Sequence, residues 1–302
     1  MSLLKSAYNL MYKCTNKAQN EPKNVFSDVE VEVEKGIAVD ETGKCKVDVW
    51  MPKERAEKLP VLFYTHGGSF VSGGAYYSRG LSKWVAQMGY AVVTVDYELA
   101  PSAHLFEQLK QVATALNWVE QNAEKYGFDL SRVVAGGDSA GGYLSAMTTA
   151  LSCDKELQKK FGVDFDVRFH AAWYNCALFD FNQMLEKGLT KFIVKILTKE
   201  VLGHKFKDCF SVEPKEFWSI TDNINADFPP CFLTYSKKDS VCPNQSERFM
   251  DRLDELGVRY ESYHSTKFSD NHCFSLNWKS KASQENNALV ADFLKKTAQV
   301  GE

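Results

Sequence analysis

The sequence predicts an α/β protein built on a mostly parallel central sheet. Compact apolar runs suited to strands buried on both faces occur at Val61 to Thr65 (VLFYT) and Ala91 to Val95 (AVVTV). Helical periodicity fills the intervals, as at Leu105, Leu109, Val112, Leu116 and Val119. Strand-like and helix-like segments alternate, which implies right-handed βαβ units.

Taken in order, Leu4, Ala7, Tyr8 and Met11 fall at helical spacing, so the first 25 residues or so predict an amphipathic helix packed on the body of the protein. The same stretch lacks the continuous apolar core and small-residue cleavage site of a secretory signal. Val29 to Val33 (VEVEV) and Lys46 to Met51 (KVDVWM) alternate, predicting half-exposed strands in an edge hairpin. After the helix over Leu105 to Val119 comes a strand at Arg132 to Ala135 (RVVA), then a helix carrying YLSAMTTALS. Further strands are expected at Phe169 to Tyr174, Cys231 to Tyr235 and Arg259 to Tyr263, with a last helix over about Gln284 to Lys296. Residues 180–225 are too long for a simple crossover. Leu189, Phe192, Ile193, Ile196 and Leu197 give them an apolar helical face. With the N-terminal helix they predict a small helical cap on a single domain of 302 residues; an ordinary crossover helix with long loops is the alternative.

Composition narrows the function. The net charge of −3 provides no basic field to recruit nucleic acid or an anionic membrane, and no apolar run is long enough to span a bilayer. The 8 cysteines are scattered, with no C-x-x-C pair and no zinc-finger spacing, so they read as reduced thiols of a cytoplasmic protein.

The chemistry concentrates at Gly136 to Gly142 (GGDSAGG). It contains G-x-S-x-G between a strand and a helix, the setting of a nucleophile elbow that presents Ser139 above the sheet. Glycines let the strand and helix backbones approach closely, and the helix N-terminus favours an anion. A serine alone is a poor nucleophile and needs a base. His66-Gly67-Gly68-Ser69-Phe70 follows the strand Val61 to Thr65 and supplies a small-residue loop whose N–H groups can stabilise an oxyanion.

HGGSF, then VDYELAP (Val95 to Pro101), then GGDSAGG resemble the hormone-sensitive-lipase-like branch of the α/β-hydrolases, and the element pattern follows that family from about residue 45 to 295. The resemblance implies an α/β-hydrolase fold and backbone oxyanion donors at Gly68, Ser69 and Ala140. The family usually has glycine where Ser69 stands. Its triad order of Ser, acid, His places the acid after a late strand, and Asp239 in SKKDSVCP matches, with Ser240-Val241 replacing the usual Pro-Leu. Asp222 and Asp227 precede that strand. The base lies beyond Asp239, which leaves His264 and His272. The family places it in a loop, commonly before Gly-Phe, so motif context favours His272, here before Cys273-Phe274. Asp270 reads as solvated, and His104, His170 and His204 as packing or surface residues.

These roles imply a serine carboxylesterase that hydrolyses short-chain esters through an acyl-enzyme, with no metal or organic cofactor and a small-molecule ester as substrate. The expected assembly is a monomer or homodimer, without stable membrane insertion. Tyr97-Glu98-Leu99-Ala100-Pro101-Ser102 departs from the family's Tyr-Arg-Leu-Ala-Pro-Glu, so an ion pair built there by relatives is missing or reversed. One alternative is an arylformamidase-like amide hydrolase, whose loop usually reads HGG-x-Trp where this chain has Phe70. The other is a non-catalytic small-molecule receptor on the same fold.

Overall fold

The computed structural model describes residues 28–186, 194–195 and 198–299. The N-terminal helix expected at 1–25 and the apolar positions Leu189, Phe192, Ile193, Ile196 and Leu197 lie outside them. One eight-stranded sheet organises the rest, in the order β1-β2-β4-β3-β5-β6-β7-β8. β1 (Val31–Ala38) and β2 (Lys46–Pro52) pair antiparallel, and β2 pairs antiparallel with β4 (Ala91–Asp96). β3 (Leu59–Thr65), β4, β5 (Phe128–Asp138), β6 (Ala171–Asn175), β7 (Cys231–Ser236) and β8 (Tyr260–Ser265) run parallel.

Successive residues of the buried strands feed opposite cores, as the two-residue period of a strand requires. Val61 and Phe63 pack in the larger cluster, and Leu62 and Tyr64 in the smaller one. The helices follow in chain order: α1 (Arg79–Ala86), α2 (Leu105–Gln121), α3 (Ala123–Tyr126), α4 (Ser139–Ser152), α5 (Lys155–Phe161), α6 (Phe181–Glu186), α7 (Gln245–Leu256) and α8 (Lys281–Gln299). α2 buries the stripe seen in the sequence, Leu105, Leu109, Val112, Leu116 and Val119. Among the described residues, no helix is long and apolar enough to cross a membrane.

The hairpin forms, but only β1 is half-exposed. β2 is buried along six of its seven residues because it lies inside the sheet between β1 and β4. Its polar residue Asp48 is tolerated there by accepting a 2.8 Å hydrogen bond from the Gly36 N–H. Four helices, α1, α3, α5 and α7, have no counterpart among those the sequence predicts. α1 and α5 are short, and α5 is fixed by its ends: Asp154 accepts from the Leu157 N–H at 2.9 Å, and Gly162 closes it in the left-handed conformation. α7 is charge-rich and buries only Phe249 and Leu253 as apolar anchors.

Between β6 and β7, the described residues form α6, helical turns at 198–202 and short 3-10 segments. A single bridge between Asp180 and Ser219 ties the start of this segment to its end. Gln245 secures its base: the side-chain oxygen accepts from the Phe179 and Asp180 N–H groups at 2.8 Å each, and the amide donates to the Asp180 carbonyl at 3.0 Å.

Candidate active site

β5 lies between β3 and β6 and runs directly into α4. Asp138 is still extended, at φ −116° and ψ 142°, whereas Ser139 turns to φ +53°. That left-handed residue is costly for an L-amino acid and reverses the chain within one position. Gly141 allows the turn, because a Cβ there would run into the carbonyl oxygens of Thr65 and His66 at the end of β3. The first turn of α4 has no intrahelical acceptors for its N–H groups, so the Ala140 N–H is available to a ligand.

The loop after β3 is equally constrained. Gly68 has φ +129° and abuts the Ser72 carbonyl. Ser69 and Phe70 follow at φ +53° and +65°. The segment that began as VDYELAP braces this loop from behind. The Tyr97 hydroxyl donates to the His66 carbonyl at 3.0 Å, and its ring stacks on the imidazole at 4.4 Å. The Ala100 N–H and the Gln108 side-chain amide both donate to the Phe70 carbonyl at 2.9 Å. From the front, Asp138 Oδ1 accepts from the Gly67 N–H at 3.1 Å and from the Tyr64 hydroxyl at 2.9 Å. Glu98 sits on neither side of the site: it accepts from Gln111 at 3.1 Å and pairs with Lys44 at 3.7 Å.

Two loops at the C-terminal ends of β7 and β8 bring Asp239 and His272 to the serine. His272 Nε2 lies 2.8 Å from Ser139 Oγ, and Nδ1 lies 2.8 Å from Asp239 Oδ2. The other Asp239 oxygen accepts from the Val241 and Cys242 N–H groups at 2.8 and 2.7 Å. With the carboxylate as acceptor, Nδ1 carries the proton and Nε2 is left to accept from the hydroxyl. Asn271 ties the two loops together: its side-chain oxygen accepts from the His272 N–H at 2.7 Å, the Ser240 N–H at 3.0 Å and the Ser240 hydroxyl at 3.1 Å.

The other candidates lie elsewhere. His264 is exposed on the edge strand β8 with its ring 5.2 Å from that of Tyr235. Asp222, Asp227 and His204 are exposed. His104 makes a 2.9 Å contact with the Glu200 carbonyl, and His170 is half-buried just before β6. Asp270 corrects the sequence reading. It is buried, at 6% exposure, because its carboxylate accepts from the Ser265 hydroxyl at 2.6 Å and its carbonyl accepts from Ser236. It thereby anchors the His272 loop to the ends of β7 and β8.

Burial sets the electrostatics. It raises Asp138 above the usual carboxylate range against the lowering effect of Tyr64, His66 and the Gly67 N–H. It pulls His272 down, but the Asp239 charge and hydrogen bond overcome it and lift His272 to about 9. Burial pushes Asp239 up, and His272 with the two N–H donors outweighs it and leaves Asp239 lowered.

Over Ser139 opens a small, largely apolar cavity. Ser69, Ser139 and Ala140 form its floor; Phe70, Leu178, Val241 and Cys242 form part of its wall. Phe181, Met184, Val194, Thr198, Val201, Leu202 and Trp218, all from the segment between β6 and β7, complete it. Only the apolar character of that segment signalled these residues in the sequence. Gln108 and Asn271 carried no signal, since each acts through side-chain hydrogen bonds made across the fold.

Residues 47–253 match the family model described as BD-FAE. Over 248 residues, covering 80% of this chain, the sequence is 27% identical to the probable carboxylic ester hydrolase LipM of Mycobacterium tuberculosis. It is 42% identical over 106 residues, 33% of this chain, to the arylacetamide deacetylase of Bos taurus. These alignments span 56% and 27% of the respective relatives. The fold superposes on esterase B of Lactobacillus rhamnosis with a TM-score of 0.82 at 23% identity, covering 98% of this chain and 94% of that one.

Proposed function

The chain belongs to the hormone-sensitive-lipase-like family of α/β-hydrolases, with the BD-FAE model spanning residues 47–253, and on that premise we propose that it is a serine carboxylesterase for short-chain acyl esters. The observation that carries this reading is the unbroken chain of 2.8 Å contacts from Ser139 through His272 to Asp239, opening onto an apolar cavity. Ser139 Oγ attacks the acyl carbon as its proton passes to His272 Nε2. Asp239 holds the imidazole in the required tautomer and stabilises its charged form. The carbonyl oxygen gathers negative charge and accepts from the N–H groups of Gly68, Ser69 and Ala140, an interaction worth about 3 kcal/mol per donor in comparable sites. The alcohol leaves with the proton from His272, and water activated by the same imidazole then releases the acid.

Phe70, Phe181, Met184 and Trp218 crowd the cavity, which supports a small acyl group over a long one. We assign residues of about 180–225 as the cap over it; the bridge between Asp180 and Ser219 closes the segment on itself. The test is hydrolysis of p-nitrophenyl acetate, butyrate, octanoate and palmitate by the wild type, Ser139→Ala, His272→Ala and His264→Ala. Rates that fall with chain length, collapse in the first two variants and survive in the third are expected. Loss in His264→Ala with retention in His272→Ala overturns the assignment of the base. Turnover of N-formylkynurenine with no ester turned over moves the reaction to amides.

A further inference from the structure

Beside the imidazole, and unused by hydrolysis, lie two thiols. Cys176 follows β6 and is 2% exposed; Cys273 is the residue after His272. Both are free, and both hold left-handed backbone, at φ +47° and +53°. One donor atom from each of Cys176, Cys273 and His272 lies within 4.8 Å of the others. We propose that these three residues form a capture site for a thiophilic divalent cation of the zinc class, and that filling it shuts the hydrolytic site.

Two sulfurs and an imidazole nitrogen are a donor set that zinc and cadmium favour over harder cations. Tetrahedral bonds of about 2.3 Å place sulfur ligands about 3.7 Å apart, so the donors need close by only about 1 Å. The surrounding charge favours a cation. The hydrogen bond with Cys176 and burial, followed by the charges of Asp138 and Asp239, hold the Cys273 thiol protonated. A bound dication reverses that preference, since a coordinating thiol gives up its proton. The two thiol protons then leave to solvent, together with the extra proton of His272 where the imidazole is charged, and the dication, two thiolates and neutral imidazole together carry no net charge. Water completes the fourth position.

Shut-off follows from what His272 already does. One imidazole nitrogen contacts Asp239 and the other Ser139. Whichever nitrogen the ion takes, one link of that chain breaks. This ion is an inhibitor, not a cofactor. The inhibitory half of the proposal rests on the hydrolase reading above; the binding half does not.

The experiment titrates metal-free, pre-reduced full chain with cadmium and reads the sulfur-to-metal absorption band, with zinc as competitor and ester hydrolysis followed in parallel. The expected result is one ion per chain, with affinity falling about ten-fold or more in Cys176→Ala, Cys273→Gly and His272→Ala. Wild-type hydrolysis falls in step with occupancy and returns with a chelator. Cys273→Gly places glycine where φ is +53°, so it keeps the test alive if Cys176→Ala fails to fold. A wild type without a saturable band, or a band unchanged in Cys273→Gly, overturns the site. A filled site with undiminished hydrolysis overturns the shut-off. Saturable binding by a chain that hydrolyses no ester supports the site and refutes the hydrolase reading instead.

Discussion

Replacing Asp138 tests whether the residue beside the nucleophile holds the oxyanion loop in place. Asp138 is 6% exposed, and its Oδ1 accepts both the Tyr64 hydroxyl and the Gly67 N–H. Asp138→Ala takes this acceptor from two buried donors. Each such loss costs about 1–3 kcal/mol, so about 2–6 kcal/mol of stability is at stake, less some relief from no longer burying a carboxyl. Gly67 immediately precedes Gly68 and Ser69, so slack at Gly67 reaches the donors proposed for the oxyanion. Losing one such donor costs about 10²–10³-fold in kcat, and Asp138→Ala is expected to approach the lower figure. Asp138→Asn keeps an oxygen acceptor in the same place and should lose about 1 kcal/mol and less than about ten-fold in rate. Urea unfolding and steady-state hydrolysis of p-nitrophenyl butyrate report the two effects separately. If Asp138→Ala matches the wild type in both midpoint and kcat, the bracing argument fails. If Asn and Ala are equally slow, the charge matters, not the acceptor.

Two further perturbations probe the base and the cavity. His272 must be neutral to accept the serine proton, so with its pKa raised to about 9 activity is present above that pH and is lost as pH falls through it. Asp239→Asn removes the largest raising charge and leaves burial, which lowers the imidazole, opposed only by the smaller raising effects of Cys176 and Asp138. The acid limb of kcat/KM should therefore move to lower pH while kcat drops about 10³–10⁴-fold, and a stationary limb would separate Asp239 from the titration. Phe181 packs its ring 4.9 Å from Tyr143 and lines the cavity, so Phe181→Ala should raise the octanoate-to-butyrate ratio of kcat/KM by about ten-fold. An unchanged ratio in a folded variant would place the acyl group elsewhere.

The parallel strands were legible because burial on both faces leaves a compact apolar run, as in VLFYT at the centre of the sheet. α2 was legible because one of its faces is buried along its length. α7 was not, since most of its surface faces water and its anchors, Phe249 and Leu253, form too short a stripe. The hairpin was read correctly as a pairing but not as a depth: KVDVWM alternates like a half-exposed strand, yet the Gly36 N–H lets Asp48 be buried. The same kind of cross-fold contact hid Asp270, which looks solvated in sequence until Ser265 and Ser236 are seen to engage it. Ser139, Asp239 and His272 stood out because each follows a strand at its C-terminal end, where an open parallel sheet gathers functional loops.

Backbone strain marks the same place as the side chains. Among the described residues, the non-glycine positions with positive φ are Ser69, Phe70, Ser139, Cys176, Asn244 and Cys273. All but Asn244 surround the serine and the imidazole. Each costs about 1–2 kcal/mol relative to ordinary right-handed backbone, and such outliers persist only where surrounding contacts over-determine them. Those contacts are visible: Gln108 and Ala100 hold Phe70, α4 begins at Ser139, and Asn271 and Asp270 fix the His272 loop. Ser69 and Cys273 are informative because both stand where the resembling family usually carries glycine. Left-handed backbone at both positions explains that preference for glycine, while the side chains kept here add a hydroxyl to the cavity floor and a thiol beside the base. The fold tolerates the strain at both positions. What each residue adds beyond its backbone is therefore chemical, and at Cys273 that chemistry is a second use for His272.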